Sequence, residues 1–192
     1  ARFEAALRER YGAFADRLLA LYPHANDAEA RASNVLVARD RYMSGALLWA
    51  QKRKATSGQD VHVFLYGHDY PAAPGGAGWG AFHSSQLPYV FGDLADGVGG
   101  THLVLVDGPV AVVGQCIGRF TAQDARISRQ WQDVVASFMR KGDPAGPNGP
   151  WPIVTTATGT KAMHIGDHPG YGPVVSSPER FAAFRDYAAQ GG

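Results

Sequence analysis

Residues 61 to 92 constrain this chain more tightly than any other stretch. Val61-His62-Val63-Phe64-Leu65-Tyr66 is a nearly unbroken run of β-branched and aromatic side chains, the composition of a strand enclosed in a buried sheet. A long glycine- and proline-rich loop follows it, from Pro71 through Trp79 to Gly80. Loops of that length within a compact domain are usually either functional or disordered. This one runs directly into His83 and then into a short aromatic-rich segment that ends at Gly92. Entered through Gly80 and left through Ser84-Ser85, the histidine can keep one ring nitrogen accessible while a hydrogen bond holds the other. A catalytic imidazole needs that presentation, but a lone loop histidine is more often structural, and its local context alone does not decide between the two.

Helical patterns surround this region. Phe3, Leu7 and Tyr11, then Phe14, Leu18, Leu21 and Tyr22, recur at helical spacing. Gly12 divides them into two short helices and Pro23 closes the second. A further helix is expected near Asp27, with Asn26 or Asp27 as its cap and Glu29 in its first turn. Asp40 to Lys54 also reads helical. Its basic end, Lys52-Arg53-Lys54, complements the backbone dipole as a solvated terminus, and Thr56-Ser57-Gly58 stops it. Two strands, His102 to Val106 and Val110 to Val113, are expected around Asp107-Gly108-Pro109. Thr121 to Lys141 reads as a long helix with Thr121 as cap and Asp124 completing an aspartate version of the capping box. Gly142-Asp143-Pro144 ends that helix, and Asn148-Gly149-Pro150-Trp151-Pro152 leads to Ile153-Val154. Ala162 to Ile165 reads as a late strand, and Pro178 to Ala189 as a terminal helix capped by Ser176 or Ser177. The expected architecture is mixed α/β over a single domain, 1–192, with no internal repeat.

Composition closes off several function classes. A formal net charge of +1 gives no electrostatic basis for binding nucleic acid or an anionic membrane, and no apolar run is long enough to span a bilayer. The single cysteine, Cys116, allows no internal disulfide and reads as a small buried hydrophobe. Seven histidines invite a metal reading, but their spacing does not support one. His62 and His68 lie six strand residues, roughly 20 Å, apart. His164 and His168 are four apart, but Gly166, Pro169 and Gly170 make a helix there implausible. Neither a metal nor a cofactor is expected.

The stretch Gly80-Ala81-Phe82-His83-Ser84-Ser85-Gln86-Leu87-Pro88-Tyr89-Val90-Phe91-Gly92 resembles the histidine loop of the type-B carboxylesterases. These form the branch of the α/β-hydrolases that holds the cholinesterases and para-nitrobenzyl esterases. One departure matters: Gln86 stands where the family has glutamate. Weaker landmarks follow in family order. Leu21-Tyr22-Pro23 resembles a tyrosine-proline helix end, Val61 to Tyr70 the strand before the histidine, Trp131 to Gly142-Asp143-Pro144 a helix and its stop, and Trp151-Pro152 the tryptophan-proline beyond. The likeness runs from about Tyr11 to Met163, with 95–120 longer than usual for the family.

The resemblance implies the C-terminal part of an α/β-hydrolase fold: late strands of the central sheet with their packing helices, completed by an N-terminal portion. It implies carboxylic-ester hydrolysis through a Ser-Glu/Asp-His triad and an acyl-enzyme, with His83 as general base. Trp79, Phe82 and the 72–79 loop would either line the substrate gorge or simply pack as an ordinary glycine-rich loop. Gln86, beside the active site, keeps hydrogen bonding without charge, which implies a tuned rather than an abolished histidine.

In that fold the order along the chain is serine, acid, histidine, so both partners of His83 fall upstream. No Gly-x-Ser-x-Gly elbow and no oxyanion-hole glycine motif occurs here. Glu4 and Glu9 match sequence beyond the family's acid loop and read as solvated. The implied partners are therefore the N-terminal portion of the same esterase and a small-molecule ester, and this chain by itself should not hydrolyse esters. Its opening, Ala1-Arg2-Phe3, has no initiator methionine or signal-like run and passes at once into a helix. That is the expectation for a chain that begins within a longer protein. The resemblance slightly favours a secreted or periplasmic location. Two other readings compete: a catalytically inactive cholinesterase-like binding or adhesion protein, and a stand-alone α/β binding module.

Overall fold

In a computed structural model the protein is described over residues 2–72, 80–94, 102–104, 111–113, 118–145 and 149–191. The expected turn Asp107-Gly108-Pro109, Cys116 and Trp79 lie outside these. The described residues form a mixed α/β structure that divides into two compact units. The first comprises Ala1–Val63, Pro152–Ala162 and Gly172–Gly192, the second Phe64–Trp151 and Met163–Tyr171. Among the described residues no helix is long and apolar enough to cross a membrane.

The first unit is helical. Helix α1 (Arg2–Tyr11) leads through a 3-10 turn at Gly12–Phe14 into α2 (Ala15–Leu19). The second short helix thus ends four residues before Pro23. Helix α3 (Asp27–Ser57) is continuous for 31 residues, where two separate helical stretches were expected. Its inward stripe is Ser33, Val37, Asp40, Ser44, Leu47 and Ala50. Three of those six are polar, which hides the helical period from a reading based on apolar residues. Asn26 caps the helix, its Oδ1 accepting the Glu29 N–H at 2.9 Å. Gly58 closes it with φ +71°, a conformation that glycine adopts without steric cost. Helix α6 (Pro178–Ala189) is capped by Ser177. Phe3, Leu7, Tyr11, Leu18, Tyr22, Val37 and Phe184 form the core of this unit.

Asp40 is fully buried on α3 and acts as a hub. It accepts the Tyr22 hydroxyl at 2.8 Å and the Ser176 N–H at 2.9 Å, and it is also hydrogen-bonded by the Ser176 hydroxyl. Arg180 lies 3.9 Å from its carboxylate and 4.1 Å from the centre of the Tyr22 ring. Those bonds tie α3 to the start of α6, and a buried charge is tolerable only with such partners.

The second unit holds most of a short sheet. Strands β1 (Phe64–Gly67), β4 (Lys161–Gly166) and β5 (Gly170–Pro173) lie in the order β1-β4-β5. β1 and β4 pair in parallel, Phe64 opposite Met163 through Gly67 opposite Gly166. The expected strand from Val61 is shorter at its start. Val61 instead uses its carbonyl to accept the Val154 N–H at 2.8 Å, and Pro152 has no N–H with which to extend that contact. Helix α4 (Leu87–Phe91) and helix α5 (Ala122–Lys141) cover a core of Tyr70, Tyr89, Ile127, Trp131, Trp151, Met163 and Ile165. Thr121 and Asp124 form the capping box as expected. Strands β2 (His102–Val104) and β3 (Ala111–Val113) pair antiparallel, His102 opposite Val113.

Candidate active site

Both segments that carry candidate chemistry leave the carboxyl ends of the parallel strands β1 and β4, the usual place for a site in an α/β sheet. The last ladder pair is Gly67 and Gly166. Gly166 has φ +132°, and a Cβ there would come within 2.7 Å of the Gly67 backbone, so only glycine permits the approach. The next residues, His68 and Asp167, are thereby brought together.

His68 is buried with both ring nitrogens engaged. Nδ1 lies 2.7 Å from Asp167 Oδ1 and Nε2 lies 2.9 Å from Asp124 Oδ1. Only a doubly protonated ring has an N–H for each carboxylate. Asp124, buried at the third position of α5, also accepts the Tyr89 hydroxyl at 2.6 Å. Its second oxygen takes the Thr121 N–H at 2.6 Å and the Thr121 hydroxyl at 2.5 Å. Burial pushes the Asp124 pKa up, but hydrogen bonds from Thr121, Tyr89 and His68 outweigh it and hold the group down to about 2. Asp167 is likewise lowered: burial opposes, and His68, the Asp69 N–H and Gln123 prevail. The Tyr89 hydroxyl is pushed up by burial and by its bond to Asp124. This network joins β1, α4, α5 and the turn after β4. The sequence identifies Asp124 as a cap but gives no sign of its second role, because His68 is 56 residues away.

The histidine loop is fixed at its entrance and its exit. Gly80, at φ +62°, accepts the Tyr70 N–H at 3.3 Å. Phe82 is half-buried, with its ring centre 5.2 Å from that of Tyr70. Residues 83–86 form a turn in which Ser85 N–H bonds Phe82 O at 3.0 Å and Leu87 N–H bonds Ser84 O at 3.1 Å. Helix α4 starts after Gln86, with Pro88 at its beginning, where the missing N–H does no harm. It ends at Gly92 with φ +72°. Tyr89 is fully buried, and its carbonyl accepts the Ser128 hydroxyl at 2.8 Å.

Within this frame the His83 ring is exposed. Its Nδ1 lies 2.7 Å from Ser84 Oγ. Among the described residues no carboxylate reaches the ring and no second nucleophile is hydrogen-bonded to it. Phe82 packs against the aromatic core of its unit, and Gln86 is half-buried at the N-cap position of α4. Trp79, expected from the sequence as a site residue, lies outside the described residues. Ser85, which the sequence does not single out, is 1% exposed, and its hydroxyl has no hydrogen-bond partner among the described residues. No group of three potential metal ligands occurs among them. The arrangement supplies one accessible imidazole on a braced loop.

No protein-family model matches the chain, and no curated protein does. Among solved structures it is similar to the carboxylesterase EST55 of Geobacillus stearothermophilus, with a TM-score of 0.61 at 19% identity. The likeness is one of fold. It covers 94% of this chain and 34% of the esterase, so the chain spans about a third of that enzyme's length. The described helices and small sheet thus resemble a fragment of a carboxylesterase.

Proposed function

We propose that this chain is the C-terminal part of a type-B carboxylesterase and supplies the histidine of its Ser-Glu/Asp-His triad. One observation carries the reading: in a fold like that of a carboxylesterase, an exposed imidazole stands on a braced loop beyond the carboxyl end of a parallel strand. The serine and the acid come from an N-terminal portion of the same esterase, and the substrate is a small-molecule carboxylic ester.

In the assembled site His83 Nε2 takes the proton of the serine hydroxyl as its oxygen attacks the ester carbonyl. The same proton passes to the leaving alcohol as the carbon–oxygen bond breaks and the acyl-enzyme forms. Water then repeats the sequence, losing a proton to Nε2 as it attacks, and the serine regains that proton. The upstream carboxylate receives Nδ1–H and orients the ring. Phe82 precedes His83 directly and Gln86 follows it by three residues; with Trp79 they are proposed to shape the site.

Intact-mass analysis and N-terminal sequencing of the native protein test this reading when combined with organophosphonate labelling. The expected result is a covalent adduct on a serine within a Gly-x-Ser-x-Gly elbow, lost in His83→Ala. A folded native protein that takes no label would overturn this reading in favour of a binding protein without esterase activity.

A further inference from the structure

Helix α4 is five residues long, too short to hold its own position, so contacts with other elements must set it. Its one buried residue, Tyr89, is gripped by α5 at two points. The hydroxyl donates to Asp124 Oδ1 at 2.6 Å, and the carbonyl accepts the Ser128 hydroxyl at 2.8 Å. Asp124 and Ser128 stand four residues apart, so they share one face of the helix, and both are buried. Asp124 is not free to follow the tyrosine, because Thr121 and His68 hold it, and Asp167 holds His68. Residues 82–93 form one hydrogen-bonded block around this grip. Ser85 N–H bonds Phe82 O, Leu87 N–H bonds Ser84 O, Val90 N–H bonds Gln86 O and Asp93 N–H bonds Pro88 O, all within 3.1 Å. A displacement of Tyr89 therefore reaches His83. A buried charged network adds little stability over apolar packing; once satisfied, it supplies rigidity and a defined position.

We propose that Tyr89 is a positioning residue for His83. Asp124 and Ser128 hold Tyr89, Tyr89 holds the turn at 83–86, and that turn sets where the imidazole stands when it takes the serine proton. The inference rests on the reading of His83 as the general base. The grip itself is buried within this chain and draws on no group from outside it. Tyr89→Phe keeps the packed ring and removes only the bond to Asp124. A misplacement of ~1 Å can cost about 100-fold in rate. Because the Ser128 bond remains, the expected loss is smaller, roughly tenfold.

Single-turnover acylation of the native protein by an activated aryl ester tests this, with amplitude and rate constant read separately below the unfolding temperature. Amplitude counts the folded sites, whereas the rate constant reports how well each site is arranged. Tyr89→Phe should keep the wild-type amplitude and lose roughly tenfold in rate constant. A wild-type rate constant overturns the proposal, and a fall in amplitude alone does so too, by reducing the bond to a stabilising one. Should Tyr89→Phe fail to fold, Ser128→Ala removes the other bond and is judged by the same two readings. Asp40→Asn, which weakens the other unit, should lower the unfolding temperature and leave the rate constant unchanged; a loss there equal to that of Tyr89→Phe overturns the proposal. His83→Ala in the same assay separates the two readings. A slowed His83→Ala beside a wild-type Tyr89→Phe removes the positioning role alone, whereas wild-type acylation in His83→Ala removes the base and this inference with it.

Discussion

Ser85 and Asp124 differ in how far their polar atoms are satisfied, and each difference has a measurable consequence. The Ser85 hydroxyl is buried without a partner among the described residues, a state that costs about 1–3 kcal/mol. Ser85→Ala should therefore stabilise the chain by about 1 kcal/mol in urea unfolding; a loss of stability would show that the hydroxyl is bonded after all. Asp124 makes the opposite case. Its carboxylate is held at about 2 against an ordinary value of about 3.9. An acid depressed on folding stabilises fully above its unfolded value, and the contribution is lost as pH falls through the folded one. A shift of that size corresponds to about 2–3 kcal/mol, removed between about pH 4 and pH 2. In Asp124→Asn, stability at neutral pH should fall by at least that amount, because His68 keeps a weaker partner. The acid-dependent loss across that window should shrink with it. A mutant with the wild-type acid profile would contradict the assignment.

At the scale of elements, helix ends were the most legible features and buried polar contacts the least. Thr121, Asn26 and Ser177 cap α5, α3 and α6 where side-chain chemistry at a helix start predicts them. The unity of α3 was hidden by Ser33, Asp40 and Ser44 on its inner face, which the helix tolerates because partners elsewhere satisfy Asp40 and Ser33. Helix α4 carries little helical signal in the sequence, being five residues long with a proline, although Pro88 is harmless in a first turn. The short strand β5 has two glycines and a proline among its four residues, a composition that carries no strand signal. Asp40→Ala should therefore cost about 3–5 kcal/mol, leaving the Tyr22 hydroxyl and the Ser176 N–H without their acceptor and Arg180 without its carboxylate. Thermal unfolding measures it, and a cost near zero would mean that Asp40 does not join α3 to α6.

Across the whole molecule, the mixed α/β class and the prominence of the 80–92 loop could be read from residues alone. The pairing of His68 with Asp124 and Asp167 could not, since three separate parts of the chain meet there only once β1 and β4 align. The same limit applies to the proposed catalysis: the sequence points to His83, and the fold exposes it, but the proposed triad needs two further groups. Acylation kinetics of the native protein, comparing wild type with His83→Ala under single-turnover conditions with an activated aryl ester, test the central claim most directly. The account predicts a folded variant whose acylation rate falls by roughly 10⁴-fold or more. Acylation at the wild-type rate in a folded His83→Ala protein would contradict it.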